Sequence, residues 1–325
     1  MDTFMYAFRA IFPILLLMAL GYAVRRMGSW SGDFFKQLNK LCFRLFLPVQ
    51  LFCSVASIED LAAVNGLLLL FQVAGILVSL LLGILTAKVF IRDPRQKGVT
   101  AQASFRSNQA ILGLPLSEAL GGEAALAYTS LSTSVSVPIF NVLAVLVLSW
   151  YGDGERPGIK QLLRRVVTNP LIISCLAGLL PVLIHQFMPA FRLETALPSV
   201  WKMLQMLSKV ASPVMLFVLG TNLNFGATGK LLPQLSLGVF LRLILCPLVV
   251  IGSAVLLRQP LGLTAVEMPT MIAVFASPIA VSSVVMTQEL GGDDQLAAQE
   301  VVWSSVLSML TIFLWVFFLR TIGLL

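Results

Sequence analysis

Two polar patches interrupt otherwise apolar stretches of the chain, and each contains a proline. In the first patch, Asn108 and Gln109 precede Pro115; in the second, Ser282 follows Pro278. Amide and hydroxyl groups donate and accept hydrogen bonds. These residue types therefore indicate a binding site for a polar ligand.

Several basic residues fall within apolar stretches, among them Arg44, Arg106 and Lys209. A charge inside a membrane is costly and usually faces the protein interior or a water-filled path. Because the charge in these stretches is mainly positive, we expect an anionic ligand such as an organic carboxylate. Glu300 has the opposite sign, and it could neutralise a cation or carry a proton.

Each of these charges also has a structural interpretation. Arg44 and Lys209 could form ion pairs within their own halves of the chain, and Glu300 could reach the cytoplasmic interface. Arg9 and Arg242 lie close enough to the ends of their stretches for their side chains to snorkel to the interface, and we expect that of both.

The sequence lacks the common motifs of catalysis and metal binding. It has one histidine, His185, and contains no H-E-x-x-H, C-x-x-C or G-x-S-x-G pattern. Its four cysteines all fall in apolar stretches, where we expect buried thiols. We therefore predict no enzyme activity, no metal site and no bound cofactor.

The composition places these residues in a membrane. Of the 325 residues, 58% are hydrophobic and 11% are charged, against about 45–50% and about 25% in soluble domains. A membrane-spanning helix needs about 20 apolar residues, so we predict an all-α polytopic membrane protein with ten spans. The predicted spans are 6–24, 38–57, 64–87, 99–119, 124–150, 166–187, 201–222, 233–257, 267–289 and 296–319.

Basic residues concentrate in alternate gaps between these spans. The gaps after the first, third and fifth spans are rich in Lys and Arg, whereas those after the second and fourth hold none. Since cytoplasmic loops carry the excess of Lys and Arg, we expect both termini on the outer, periplasmic side of the inner membrane. The net charge of +7 thus indicates topology and no nucleic-acid partner.

The two halves of the chain share an ordered internal similarity. Five spans per half is an odd number, so a second copy must insert upside down, as in the inverted repeats of secondary transporters. We predict one repeat at residues 1–150, a cytoplasmic linker at 151–165 and the inverted repeat at 166–325. The matches are Pro13 and Gly21 with Pro170 and Gly178, Pro48 to Phe52 with Pro213 to Phe217, and Leu120 to Glu123 with Leu290 to Asp293.

Both polar patches fall in the fourth span of their half. A symmetric pair of polar, proline-interrupted segments indicates the binding site of a transporter. Proline removes a helical hydrogen bond, and unpaired backbone at membrane depth persists only inside protein or beside a wet cavity. We therefore predict helix breaks near the midplane between Asn108 and Pro115 and between Ser277 and Ser283.

Five stretches of the chain form a familiar combination of motifs. They are FPILLLMALGYAVRR, LNKLCFRLFLPVQLF, SNQAILGLPLSEALGG, IFNVLAVLVLSW and ASPIAVSSVV. With them the chain resembles the auxin efflux carrier family, in its bacterial branch, over most of its length. The resemblance implies ten helices in a scaffold and a transport domain, with helices four and nine crossing at their breaks as in bile-acid symporters. Members of this family move organic acids, including auxin, malate and malonate.

Carried over by motif, Asn108 and Pro115 match the polar residue and crossing proline of the fourth span. Pro278 matches the ninth-span proline, and Asn141 a polar position of the fifth. Bacterial relatives often have Asn where Ser282 stands, and the long central loop of the plant proteins is missing, so auxin itself is not expected as the substrate.

We therefore interpret the chain as a secondary transporter, a permease or efflux carrier, of small organic anions, working by elevator-like alternating access. We expect six substrate-binding residues, Arg106, Asn108, Gln109, Asn141, Ser277 and Ser282, and three residues that support the charge of the site, Arg44, Lys209 and Glu300. A passive anion channel is the alternative, coupling to H+ or Na+ stays open, and the sequence is compatible with a homodimer.

Overall fold

Helices dominate the structure, a computed structural model, and the interrupted ones position the site. Some side chains within the described helices, namely those of residues 2–11, 14, 15, 54, 115, 123, 134, 212, 222 and 225–228, are not described. Most of the predicted linker 151–165 lies outside the described residues. The structure describes the backbone of residues 2–57, 66–152, 160, 164, 167–188, 191–222, 225–264 and 266–325.

Fifteen α-helices and four π-helical turns follow one another along the described ranges. The α-helices are α1 (Asp2–Met27), α2 (Gly32–Leu41), α3 (Leu47–Ala56), α4 (Gly66–Phe90), α5 (Pro94–Phe105), α6 (Leu114–Tyr151), α7 (Pro170–Phe187), α8 (Leu193–Ala196), α9 (Pro198–Asn222), α10 (Phe225–Phe240), α11 (Cys246–Leu256), α12 (Arg258–Leu261), α13 (Met268–Met271), α14 (Ser282–Glu289) and α15 (Asp294–Thr321).

Membrane-length segments are present, as the composition predicts. Within the described ranges, six helical segments are long and apolar enough to cross a bilayer, which makes the chain a multi-pass membrane protein. The count of ten spans stays a prediction. The six segments are Gly66–Phe90, Ala124–Tyr151, Pro170–Phe187, Pro198–Thr221, Gly229–Leu256 and Asp294–Thr321.

Each of the four π-helical turns ends two residues before a proline. A proline ring collides with the carbonyl four residues earlier and offers that carbonyl no N–H. Widening the preceding turn accommodates the proline, since a π turn bonds each N–H five residues back. The chain stays helical after three of these turns, whereas it becomes extended at Ser277 after the fourth. The turns are Cys42–Phe46 before Pro48, Gln109–Gly113 before Pro115, Leu241–Leu245 before Pro247 and Ile272–Ala276 before Pro278.

Helices from the two halves pack closely at two glycines. α1 packs on α9, where a Cβ on Gly21 would collide with the carbonyl oxygen of Phe217. α3 packs on α7, where a Cβ on Gly178 would lie 2.8 Å from the carbonyl oxygen of Phe52. Both contacts therefore require glycine. The two contacts are equivalent, because the internal similarity matches Gly21 with Gly178 and Phe52 with Phe217.

A second group of helices surrounds the interrupted segments. α5 packs against α4, α6 and α10, and α15 packs against α10 and α14. α6 bends at Gly122, whose φ of 67° lies in the left-handed region that favours glycine. This bend separates the predicted fourth and fifth spans. The interrupted segments lie among these packed helices, because they connect α5 to α6 and lead into α14.

Candidate functional site

The two interrupted segments cross in extended conformation and pair with each other. The backbone N–H of Asn108 donates to the carbonyl of Pro278 at 2.9 Å, and the N–H of Ala280 donates to the carbonyl of Arg106 at 3.2 Å. Between these bonds, Ser107 and Ile279 form an antiparallel bridge. The extended backbone thus satisfies part of its own hydrogen bonding away from water, as burial in a membrane requires.

Helical structure stops on one side of the crossing and resumes on the other. α5 ends at Phe105, and the π turn at Gln109 leads into α6; on the second segment, the turn ending at Ala276 is followed by α14 from Ser282. The segments leading into α6 and α14 place the partly positive N-terminal ends of helices next to the crossing. This polarity suits an anion.

A cavity of about 80 Å³ lies beside the crossing. One wall comes from the crossing residues and from α6, and the opposite wall comes from α3 and α9. Gln50 and Met215 both line the second wall. These two residues occupy the same position of the matched Pro-Val-x-Leu-Phe sequences, so the shared motif marks a cavity wall that sequence reasoning did not assign.

Arg106 brings a guanidinium group to this cavity. Its side chain is 3% exposed, and its Nη2 donates to Oδ1 of Asn141 at 2.8 Å and to Oγ of Ser282 at 2.9 Å. Nη1 contacts the sulfur of Met286. All three acceptors are neutral, and no carboxylate among the described residues lies within 4.0 Å of Arg106. The site therefore holds a buried positive charge that no carboxylate of the described part of the chain neutralises.

Asn108 lines the same cavity and carries a buried side-chain amide. Its side chain is 4% exposed, and its Nδ2 has no hydrogen-bond partner among the described residues. Ser107, also on the cavity wall, has an unpartnered Oγ. Because buried polar groups are nearly always hydrogen-bonded, these atoms indicate a place for a polar ligand.

The structure brings four of the six predicted substrate-binding residues together. Arg106, Asn108, Asn141 and Ser282 line the cavity, with Asn141 also donating from Nδ2 to the Val137 carbonyl at 2.8 Å.

The other two predicted substrate-binding residues lie elsewhere. Gln109 is fully buried and donates to Oγ of Ser136, and Ser277 is fully buried outside the cavity lining. Both belong to the structure around the crossing and do not face the cavity.

The three residues expected to supply charge lie outside the cavity lining. Arg44 and Lys209 are exposed. Glu300, on α15, is 1% exposed, and its Oε1 accepts from Oγ1 of Thr100 at 3.3 Å. Thr100 belongs to α5, so Glu300 contacts the helix that leads into the crossing.

The two prolines play different parts. Pro278 lies within the crossing itself, whereas Pro115 follows the crossing by seven residues and lies at the start of α6. The first break therefore begins at Arg106, before the predicted range of Asn108 to Pro115. The π turn Gln109–Gly113 accommodates Pro115, which explains why the chain is helical there.

Arg242 is the residue that sequence reasoning misplaced. The expectation that it snorkels to the interface is wrong, because its side chain is fully buried. It lies nine residues inside the predicted span 233–257, which is about 13 Å at the helical rise of 1.5 Å per residue. This depth in the span was the sequence signal that the side chain is buried. The side chain of Arg9 lies outside the described residues.

The ranges that the structure describes hold no group of three or more His, Cys, Asp or Glu side chains that could bind a metal ion. The four cysteines are buried and free.

A polytopic helical membrane protein with a polar, cationic cavity at crossed, interrupted helices belongs to the class of membrane transporters. The family of membrane transport proteins matches residues 6–316. The chain belongs to this family, which confirms its resemblance to the auxin efflux carriers.

Two relatives match this chain over nearly its whole length. A protein of Methanothermobacter thermautotrophicus named "Uncharacterized transporter" is 23% identical over 315 residues, 96% of this chain and 98% of its own length. A protein of Rhizobium meliloti named "Putative malonate transporter" is 23% identical over 313 residues, 93% of this chain and 92% of its own length. The shared length covers both interrupted segments.

Proposed function

We propose that this chain is a secondary transporter of small organic anions, with malonate-like carboxylates as its first candidate substrates. The observation that carries the proposal is the buried guanidinium of Arg106 on the cavity wall, without a carboxylate partner among the described residues. An ion taken out of water loses several kcal/mol of solvation, and pairing with an opposite charge offsets this loss. A bound carboxylate would provide the missing counter-charge.

Donors for the carboxylate come from both sides of Arg106. Nδ2 of Asn108 has no partner in the part of the chain that the structure describes, and Oγ of Ser282 already contacts the guanidinium at 2.9 Å. Hydrogen bonds between charged partners are about twice as strong as neutral ones. We infer that Arg106, Asn108 and Ser282 contact the anion and that Asn141 orients Arg106.

The cavity lies between two groups of helices, which supports alternating access. α3 and α9 provide one wall, and the crossing with α6 provides the other. A movement of the crossing group past the wall of α3 and α9 would carry the anion across the membrane, as in an elevator. The paired contacts Gly21–Phe217 and Gly178–Phe52 support the proposed inverted repeats at 1–150 and 166–325.

We further propose that the chain resides in the inner membrane with both termini outside. The concentration of Lys and Arg in the odd-numbered gaps supports this orientation. Accessibility of single cysteines to a membrane-impermeant reagent, placed at the two termini, would test it.

Transport in proteoliposomes tests the function. Purified protein, loaded with unlabelled malonate, should take up labelled malonate by counterflow, and uptake should saturate. A passive pore would give uptake that neither saturates nor exchanges. Absence of flux across a panel of mono- and dicarboxylates would refute the proposal.

A further inference from the structure

We propose that the guanidinium group of Arg242 is a resident cation that fills the place at the crossing where a coupling sodium ion would bind, so that transport runs without sodium. That transport runs without sodium rests on the proposed function. That the guanidinium group fills the place of a sodium ion rests on the contacts of Arg242 itself.

Arg242 donates to backbone carbonyls of both interrupted segments. Nε donates to the carbonyl of Ser277 and Nη2 to that of Val274, each at 2.8 Å. Nη1 lies 3.3 Å from the carbonyl oxygen of Phe105 and 3.5 Å from that of Ser104. One guanidinium group thus ties the end of α5 to the residues that precede Pro278.

These carbonyls need a partner because they lie where helices end. The last four carbonyls of a helix have no intrahelical partner, and the C-terminal end carries a partial negative charge. α5 ends at Phe105, and the π turn Ile272–Ala276 ends beside Ser277. Unwound carbonyls and half-helix C-terminal ends of this kind are the ligands of coupling sodium ions in secondary transporters.

The charge on Arg242 would exclude a second cation from this place. The side chain is fully buried, and within the described residues no carboxylate lies within 4.0 Å of it. Like charges repel strongly in a medium of low dielectric constant. A sodium ion could therefore bind these carbonyls only if Arg242 were displaced.

A cation that is part of the chain cannot dissociate into either compartment. Arg242 lies in the π turn Leu241–Leu245 between α10 and α11, so its backbone is held by the helices around the crossing. It can hold the crossing together, but it cannot draw energy from a sodium gradient. Arg242 is thus a positioning residue, and Arg106 remains the cation that faces the cavity.

The wild-type protein gives the first test. Malonate counterflow is measured in proteoliposomes with sodium, potassium or choline as the cation, at equal pH on both sides. We expect rates that agree within about twofold, because an ion without a site shifts no equilibrium. A sodium-dependent rate would overturn the inference, whereas absence of flux with every cation would refute the proposed function instead.

Substitution of Arg242 gives a second test that does not depend on transport. We expect Arg242→Ala to lower the melting temperature, and millimolar guanidinium chloride to raise it again by about 2–4 °C through binding to the vacated carbonyls. Choline chloride at the same concentration should have no effect, and Arg242→Lys should melt between the wild type and Arg242→Ala.

The matched control is Arg320→Ala, which removes an exposed guanidinium at the end of α15. Guanidinium should not stabilise this variant. Equal responses of both variants, or none in Arg242→Ala, would overturn the inference. If Arg242→Ala does not fold, the Arg242→Lys protein and the sodium replacement in the wild type decide the question.

Discussion

Asn108 and Pro278 face each other across the crossing, where the N–H of Asn108 donates to the Pro278 carbonyl at 2.9 Å. The two residues are 170 positions apart, as are Gly121 and Gly291 in the matched Leu-Gly-Gly sequences. Matching positions of the two halves thus meet at one point. This relationship supports the proposed inverted repeat.

Asn108 should contribute affinity for the anion. We expect Asn108→Ala to weaken malonate binding by about 10- to 100-fold, because a hydrogen bond to a charged group contributes about 1.5–3 kcal/mol. Binding is measured by the malonate concentration that half-saturates counterflow. Asn39→Ala is the control, since Asn39 is also buried with an unpartnered Nδ2 but lies outside the cavity lining. Unchanged affinity in Asn108→Ala would contradict this role.

Glu300 offers a test of proton coupling. Its carboxyl group packs against Gly238 and accepts from Thr100, and a glutamine fits the same space. An amide cannot carry the proton of a carboxyl group, so we expect Glu300→Gln to keep malonate counterflow and to lose accumulation driven by a pH gradient. If accumulation persists, Glu300 is not the proton carrier.

The close helix contact at Gly21 should be sensitive to a single methyl group. A Cβ there would collide with the Phe217 carbonyl, so we expect Gly21→Ala to cost about 1–3 kcal/mol. The melting temperature of the purified protein measures it. Gly252→Ala is the control, because a Cβ at Gly252 meets open space and alanine favours helix. Equal melting temperatures for both variants would contradict the contact.

Much of the helix pattern is readable from the sequence, because hydropathy and proline act locally. The break at Pro278 was predictable in this way. The break in the first segment was misplaced, since it depends on pairing of Asn108 with Pro278 over a long separation in sequence. Only tertiary structure supplies that bond.

The orientation of side chains around a helix was harder to predict. Arg44 and Lys209 stand beside matched prolines, yet both are exposed. Helical phase decides which face a residue occupies, and a helix that is apolar all round gives little sign of its buried face. The buried position of Arg242 depended on carbonyl groups of other segments, which residue types cannot reveal.

Malonate counterflow by Arg106→Gln tests most directly whether the buried charge of Arg106 binds the anion. Glutamine can keep a hydrogen bond to Asn141 or Ser282 but carries no charge. We expect counterflow to fall by at least about 100-fold, since loss of one partner of a buried ion pair costs about 3–5 kcal/mol, while Arg320→Gln transports as the wild type. Arg106→Gln protein that is folded and exchanges malonate at the wild-type rate would contradict the account.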